Sequence, residues 1–471
     1  MEERGGTSGD EGLYRILGGG LPENGINLIM GLPGSGKTML CQQFMFAGAT
    51  EERPAIYLST VSEPFEKILR YAQTLSFFDP SAIGRSIFYD DLGAAVAGDG
   101  GLAAVTERIA ALIKERRPGI IAIDSFKALA VFADDAREFR RFLHNLAALL
   151  TAFPATSFWI GEYGEDETRT APEFAVADGI ISLATEHVNE RVLRLIEVQK
   201  LRGSDFRSGR HTYRLSENGI TVFPRLADPL RDDGYRLSED RISTGIAPLD
   251  QMLAEGYAPA SSTLVAGPSG AGKTLMGLHF IFSGAANGQP GVIATLQENP
   301  SQLERVVRGF GWSLQNEHVA VMYRSPNDVY IDQWVYELLE LIERTGATRV
   351  VIDSLSDLQH AAPDPVRLRE FIYSLTQRLS RAGISPIMTS EIPDLFHVGR
   401  LAEYGISHLS DNVILLQYLR AHSRVLRTVA ILKSRASAHD PEIREFDITS
   451  DGIVLGDPIA RDDAAASVQA R

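Results

Sequence analysis

A chain of 471 residues exceeds what one hydrophobic core usually serves, so two or three domains are expected. With 44% hydrophobic and 23% charged residues the composition is ordinary for a globular protein, and a net charge of −15 argues against a main task of gripping nucleic acid. The single cysteine, Cys41, excludes an intrachain disulfide and a Cys-rich zinc site; no apolar run reaches the roughly 18 residues of a membrane span, and MEERGGTSGDEG lacks a signal peptide's apolar core, so a reducing cytoplasm is the expected home.

Residues 1–10 read as a flexible tail, and a first domain is expected over 11–226. Its first apolar run, INLIM, enters Gly31-Leu32-Pro33-Gly34-Ser35-Gly36-Lys37-Thr38, which fits G-x-x-x-x-G-K-[ST], and a helix starting with Lys37, Thr38 and Met39 follows. The runs AIYLST, IIAID and TSFWIGE then alternate with amphipathic stretches at 103–116 and 135–151. Such alternation predicts an α/β domain, a mostly parallel sheet flanked by helices on both faces. Three features have chemical potential: Glu63 after the second run, Asp124 ending IIAID, and the basic pair Lys200 and Arg202 in EVQKLRG.

The acidic, Pro-containing segment ADPLRDDGYRLSED, 227–240, reads as a linker. Beyond it the pattern repeats, so a second domain of the same class is expected over 241–459, with 460–471 as a loose tail. The run STLVA enters Gly267-Pro268-Ser269-Gly270-Ala271-Gly272-Lys273-Thr274, and a helix continues through Leu275. GVIATLQENP then offers Gln297 and Glu298, RVVIDS ends its apolar run on Asp353, and ILKSRA carries Lys433 and Arg435. The two loop lysines are 236 residues apart and the two aspartates 229, so the halves are duplicated domains of about 230 residues.

Each residue type suits a step of ATP chemistry. Glycines let the loop curl its N–H groups toward phosphate oxygens, Lys37 and Lys273 reach the β- and γ-phosphates, and Thr38 and Thr274 hold Mg2+. Asp124 and Asp353 suit a magnesium–water ligand; the competing reading is an N-cap for the next helix. Glu298 is the candidate base for the attacking water, and Glu63, one place later in an ungapped match, is its weaker counterpart. The basic pairs Lys200/Arg202 and Lys433/Arg435 lie far in sequence from their own loops and are expected to complete a neighbouring subunit's site; surface charge balance is the alternative.

With these segments in place, and with GFGW at 309–312, ISHLSDNVILLQY at 406–418 and SAHDPEIREF at 437–446, the chain resembles the KaiC family of the RecA-like ATPase superfamily over residues 10–455. The pairing of TLSFFD with a GLPGSGKT loop is similar to members outside the cyanobacterial clock. The resemblance implies two tandem RecA-like P-loop domains, slow ATP hydrolysis, a double-ring homohexamer with ATP between subunits, a regulatory protein partner, and Ser/Thr autokinase activity in the second ring, with Ser407 on the acceptor position. Three departures weigh against a clock-type kinase. The family's adjacent glutamates are replaced by Val61-Ser62 and Gln297-Glu298, its Ser-Thr acceptor pair by Ser407-His408, and little chain follows Asp457 to serve as the partner-binding C-terminal segment. Two other function classes compete. A DNA-handling ATPase needs basic pore loops, whereas DLQHAAPDPVRLREF and SEIPDLFHVGRLAEY are mixed or acidic. An ATP-glued scaffold with little turnover suits a ring lacking its glutamates.

Overall fold

The apolar runs become strands of two separate nine-stranded sheets, one in each half of the computed structural model. The structure describes residues 8–60, 65–97, 100–164, 166–188, 191–226, 240–326, 329–362, 364–392, 408–421, 424–435 and 437–459. The chain divides into two compact units, 1–225 and 226–471. Leu226, on which the sequence reading ends the first domain, packs into the core of the second.

In the first unit the strands are β1 (Ile26–Gly31), β2 (Ala55–Ser59), β3 (Ile87–Asp91), β4 (Ile120–Asp124), β5 (Thr156–Gly161), β6 (Gly179–Val188), β7 (Arg191–Leu201), β8 (Arg210–Ser216) and β9 (Gly219–Phe223). They lie in the order β3-β2-β4-β5-β1-β6-β7-β8-β9. Pairings from β3 through β6 are parallel, and β6 to β9 form an antiparallel meander. The second unit repeats this with β10 (Thr263–Gly267), β11 (Gly291–Thr295), β12 (Val319–Tyr323), β13 (Arg349–Asp353), β14 (Ser385–Glu391), β15 (Asn412–Ala421), β16 (Arg424–Ser434), β17 (Arg444–Thr449) and β18 (Gly452–Pro458). Its order, β12-β11-β13-β14-β10-β15-β16-β17-β18, matches strand for strand.

The parallel strands are apolar on both faces because helices cover both. Leu28 and Met30 face one core with Ile56, Ile123 and Trp159; Ile29 faces the other with Tyr57, Ala122 and Phe158. This period of two follows from the pleat. The helix Ala136–Thr151 shows how a cover forms: Asp135 caps it by accepting from the Arg137 and Glu138 N–H groups, and Phe139, Phe142, Leu143, Leu146 and Leu150 put one apolar stripe on the sheet. The helices Lys37–Gly48 and Lys273–Ala286 cover the opposite faces, so each phosphate-type loop emerges at the C-terminal end of a central strand.

Candidate functional site

In the first domain β1 runs directly into the loop. Gly31, Gly34 and Gly36 adopt φ of 155°, 77° and 90°. A Cβ on Gly31 would stand 2.3 Å from the Leu183 carbonyl oxygen, so glycine is required there. Gly36 starts the helix with no side-chain cap, so no cap side chain accepts from the first-turn N–H groups. The Tyr213 hydroxyl donates to the Ser35 carbonyl at 2.6 Å and pins the loop. Lys37 is buried; its Nζ donates to the Leu32 carbonyl at 3.0 Å and lies 3.7 Å from Glu162 Oε1. Burial pulls this ammonium below its usual range, and Glu162, then Asp124, oppose the shift. Thr38 Oγ1 donates to Asp124 Oδ2 at 2.7 Å, and the buried Tyr57 hydroxyl donates to the same oxygen at 2.5 Å. Met39 faces the adjoining core. A cleft of about 960 Å3 opens over this set, lined by Pro33, Gly34, Lys37, Asp124, Lys127 and Glu162.

The second domain repeats the arrangement with substitutions. Gly270 and Gly272 take φ of 73° and 103°, and a Cβ on Gly267 would meet the Leu416 carbonyl oxygen at 2.7 Å. Tyr418 donates to the Ser269 carbonyl at 3.3 Å, while Ala271 and Leu275 are buried behind the loop. Lys273 Nζ donates to the Gly267 and Pro268 carbonyls, both at 2.9 Å; burial lowers its pKa, opposed by Glu391 and Asp353. Thr274 Oγ1 donates to Asp353 Oδ2 at 2.7 Å. The second donor to Asp353 is Thr389 of β14 rather than a tyrosine of β11.

Asp124 and Asp353 are the last residues of β4 and β13. Neither caps the following helix: Ser125 and Ser354 hold the cap positions. Glu298 lies just past β11 and is half-buried, with Oε2 buried and without a hydrogen-bond partner. Burial raises its pKa first, and the charge of Asp353 adds to the effect. Gln297 donates to the Ser354 hydroxyl at 3.4 Å. Glu63 and Ser407 fall outside the described residues.

The basic pairs do not join these groups. Lys200 pairs across the sheet with Ile180, and Arg202 with Asp178, at the start of β6. The Asp178 N–H bonds the Ile26 carbonyl, so Arg202 is level with the beginning of β1 while the loop lies at its end. Five residues at about 3.3 Å each put roughly 17 Å between them along the strand. Arg202 is exposed and held by Asp178 Oδ1 at 3.1 Å; Arg435 is likewise exposed, 3.7 Å from Asp411 Oδ1. Lys433 Nζ donates to the Ser410 carbonyl at 2.5 Å, and Lys200 Nζ to the Phe174 carbonyl at 3.3 Å. Burial lowers both lysine pKa values, with the adjacent arginines adding to it.

Sequence reading passed over Tyr57, Thr389, Glu162 and Glu391. The two glutamates carried a usable signal: they end matching runs and are 229 residues apart, the spacing of the two aspartates. Among the described residues no group of three or more His, Cys, Asp or Glu is placed to hold a metal, and no helix is long and apolar enough to cross a membrane. Magnesium with a nucleotide does not need such a group: one hydroxyl and one carboxylate, with phosphates and water, complete its shell, and each Thr–Asp pair fits that donor set.

A family model described as "ATPase: KaiC" matches residues 7–227 and 242–459. The chain is 30% identical to "Circadian clock protein KaiC3" of Synechocystis sp. over 468 residues, which is 96% of this chain and 91% of that protein. It is 28% identical to "Circadian clock oscillator protein KaiC" of Picosynechococcus sp. over 95% of this chain and 88% of that one. The protein of the same name from Synechococcus elongatus is also 28% identical, over 94% and 87% of the two chains.

Proposed function

The chain belongs to the KaiC family of ATPases, and from that premise we propose that it is a slow, magnesium-dependent ATPase of the cytoplasm that binds one ATP in each domain and assembles as a homohexamer around them. The observation that carries this reading is the doubled site. In both domains a loop lysine, buried in the first and partly buried in the second, bonds loop carbonyl oxygen beside a threonine hydroxyl 2.7 Å from a strand-end aspartate.

When ATP arrives, Lys37 and Lys273 exchange their carbonyl contacts for the β- and γ-phosphates, and the loop N–H groups take the remaining oxygens. Magnesium, held through Thr38 with Asp124 and Thr274 with Asp353, would neutralise charge on the phosphates. In the second domain Glu298 accepts a proton from the attacking water; its half-buried, unpartnered oxygen suits that task. Arg202 and Arg435, on the far end of the sheet from their own loops, meet the γ-phosphate of a neighbouring subunit with Lys200 and Lys433, so ATP stabilises the ring by mass action. Ser407 is the proposed autokinase acceptor, its modification partial because Gln297 replaces a carboxylate. A regulatory protein partner reads the nucleotide state of the ring.

Equilibrium binding should find two nucleotides per chain, and phosphate release should vanish in the Lys37→Ala/Lys273→Ala double variant. One nucleotide per chain, or turnover surviving in the double variant, contradicts the proposal. A salt-dependent DNA gel shift tests the competing DNA-handling reading.

A further inference from the structure

In sequence Ser62 stands in the first domain where the second has Glu298, with Glu63 one place later and outside the described residues; among the described residues another carboxylate stands in the cleft. Glu162 follows β5, and β5 lies between the loop strand β1 and the aspartate strand β4. Register places Met30 opposite Gly161 and Asp124 opposite Ile160, so Glu162 comes off the sheet between the loop and the magnesium carboxylate. The Glu162 carbonyl accepts from Lys127 Nζ at 2.7 Å, which fixes its backbone. Its side chain is about half exposed, which leaves it able to turn.

We propose that Glu162 is the water-activating carboxylate of the first domain, and that without nucleotide it serves as counter-ion to Lys37. The proposal rests on the reading that the first site binds ATP. A phosphate oxygen about 2.8 Å from Lys37 Nζ would lie no more than about 6.5 Å from Glu162 Oε1; one water spans up to about 5.6 Å, and a turn of the half-exposed side chain closes the rest. In the step, the water oxygen bonds to the γ-phosphorus and the bond from that phosphorus to the β,γ-bridging oxygen breaks. The bridging oxygen keeps the electron pair and leaves with ADP. The water's proton passes to the Glu162 carboxylate and then to the released phosphate.

The test uses the full chain with Lys273→Ala, so that only the first site turns over. Radiolabelled ATP binding and phosphate release at saturating ATP are measured for this parent and with Glu162→Gln or Glu162→Asp added. The expected result is ATP affinity equal to or tighter than the parent's, phosphate release lowered about 100-fold or more by Glu162→Gln, and a smaller loss in Glu162→Asp, which keeps a carboxylate. Unchanged release in the Gln variant overturns the proposal, and with tighter ATP binding it leaves Glu162 a counter-ion only. Release lost equally in the Asp and Gln variants together with ATP binding also overturns it. A Lys273→Ala parent that binds no ATP defeats the function reading itself.

Discussion

Replacing Glu298 by Gln should raise the stability of the second domain while removing its hydrolysis. The Glu298 carboxylate is half-buried, has an oxygen without a partner and feels Asp353. Its folded pKa is therefore raised above the unfolded value. The sign follows: above the raised pKa the native state holds a charge that the unfolded chain solvates better, which costs stability, and the cost fades as pH falls through that pKa. A buried unsatisfied polar group costs about 1–3 kcal/mol, and partial exposure favours the lower end, so about 1 kcal/mol should be regained. For a domain of about 220 residues that is roughly 2–4 °C in Tm. Loss of the base should cut turnover about 10²–10⁴-fold. The assay is scanning calorimetry of nucleotide-free protein at neutral and acidic pH, with phosphate release measured in a Lys37→Ala background. The Tm gain should shrink at acidic pH. A lowered Tm at neutral pH together with intact hydrolysis would refute this reasoning.

Four further predictions rest on other residues. Tyr57→Phe removes the phenol donor to Asp124, a charge-assisted bond, and should lower the first domain's stability by about 1.5 kcal/mol or more while sparing the second; calorimetry separates the two. Gly36→Ala forces an alanine to φ 90° at about 1–2 kcal/mol, so ATP affinity of the first site should fall about tenfold in titrations on a Lys273→Ala background; unchanged affinity counts against the loop geometry. Glu298→Gln should remove more steady-state hydrolysis than Glu63→Gln, and the reverse order would make Glu63 rather than Glu298 the stronger base. Incubation with Mg-ATP followed by phosphosite mapping should find partial phosphate on Ser407, raised by Gln297→Glu; phosphate only elsewhere removes the autokinase.

Much of the fold and of the site was legible in the chain because the informative residues obey local rules. The loop motifs fix backbone shape through glycines that no other residue replaces, and the apolar runs needed only length and flanking helices to be read as buried parallel strands. Duplication supplied a second reading of each element. The meander from β6 to β9 was seen as a repeated segment and not as antiparallel pairing, because its strands are only partly buried and their apolar pattern is weaker. Tyr57 and Thr389 were invisible for a geometric reason. Each reaches its aspartate from a neighbouring strand, β2 in one domain and β14 in the other, so the contact exists only once register is known. Glu162 ends the run TSFWIGE, and only the strand order sets it between loop and aspartate.

Two ATP sites per chain, each completed by a neighbouring chain, make assembly and nucleotide occupancy depend on one another. Native mass spectrometry of the wild-type chain and of Arg202→Ala/Arg435→Ala, in ATP and in ADP, tests it most directly. The wild type in ATP should be a hexamer with two nucleotides per chain, and the arginine variant should give smaller species that still bind nucleotide. A wild-type monomer saturated with ATP, or an arginine variant that assembles as well as the wild type, would contradict it.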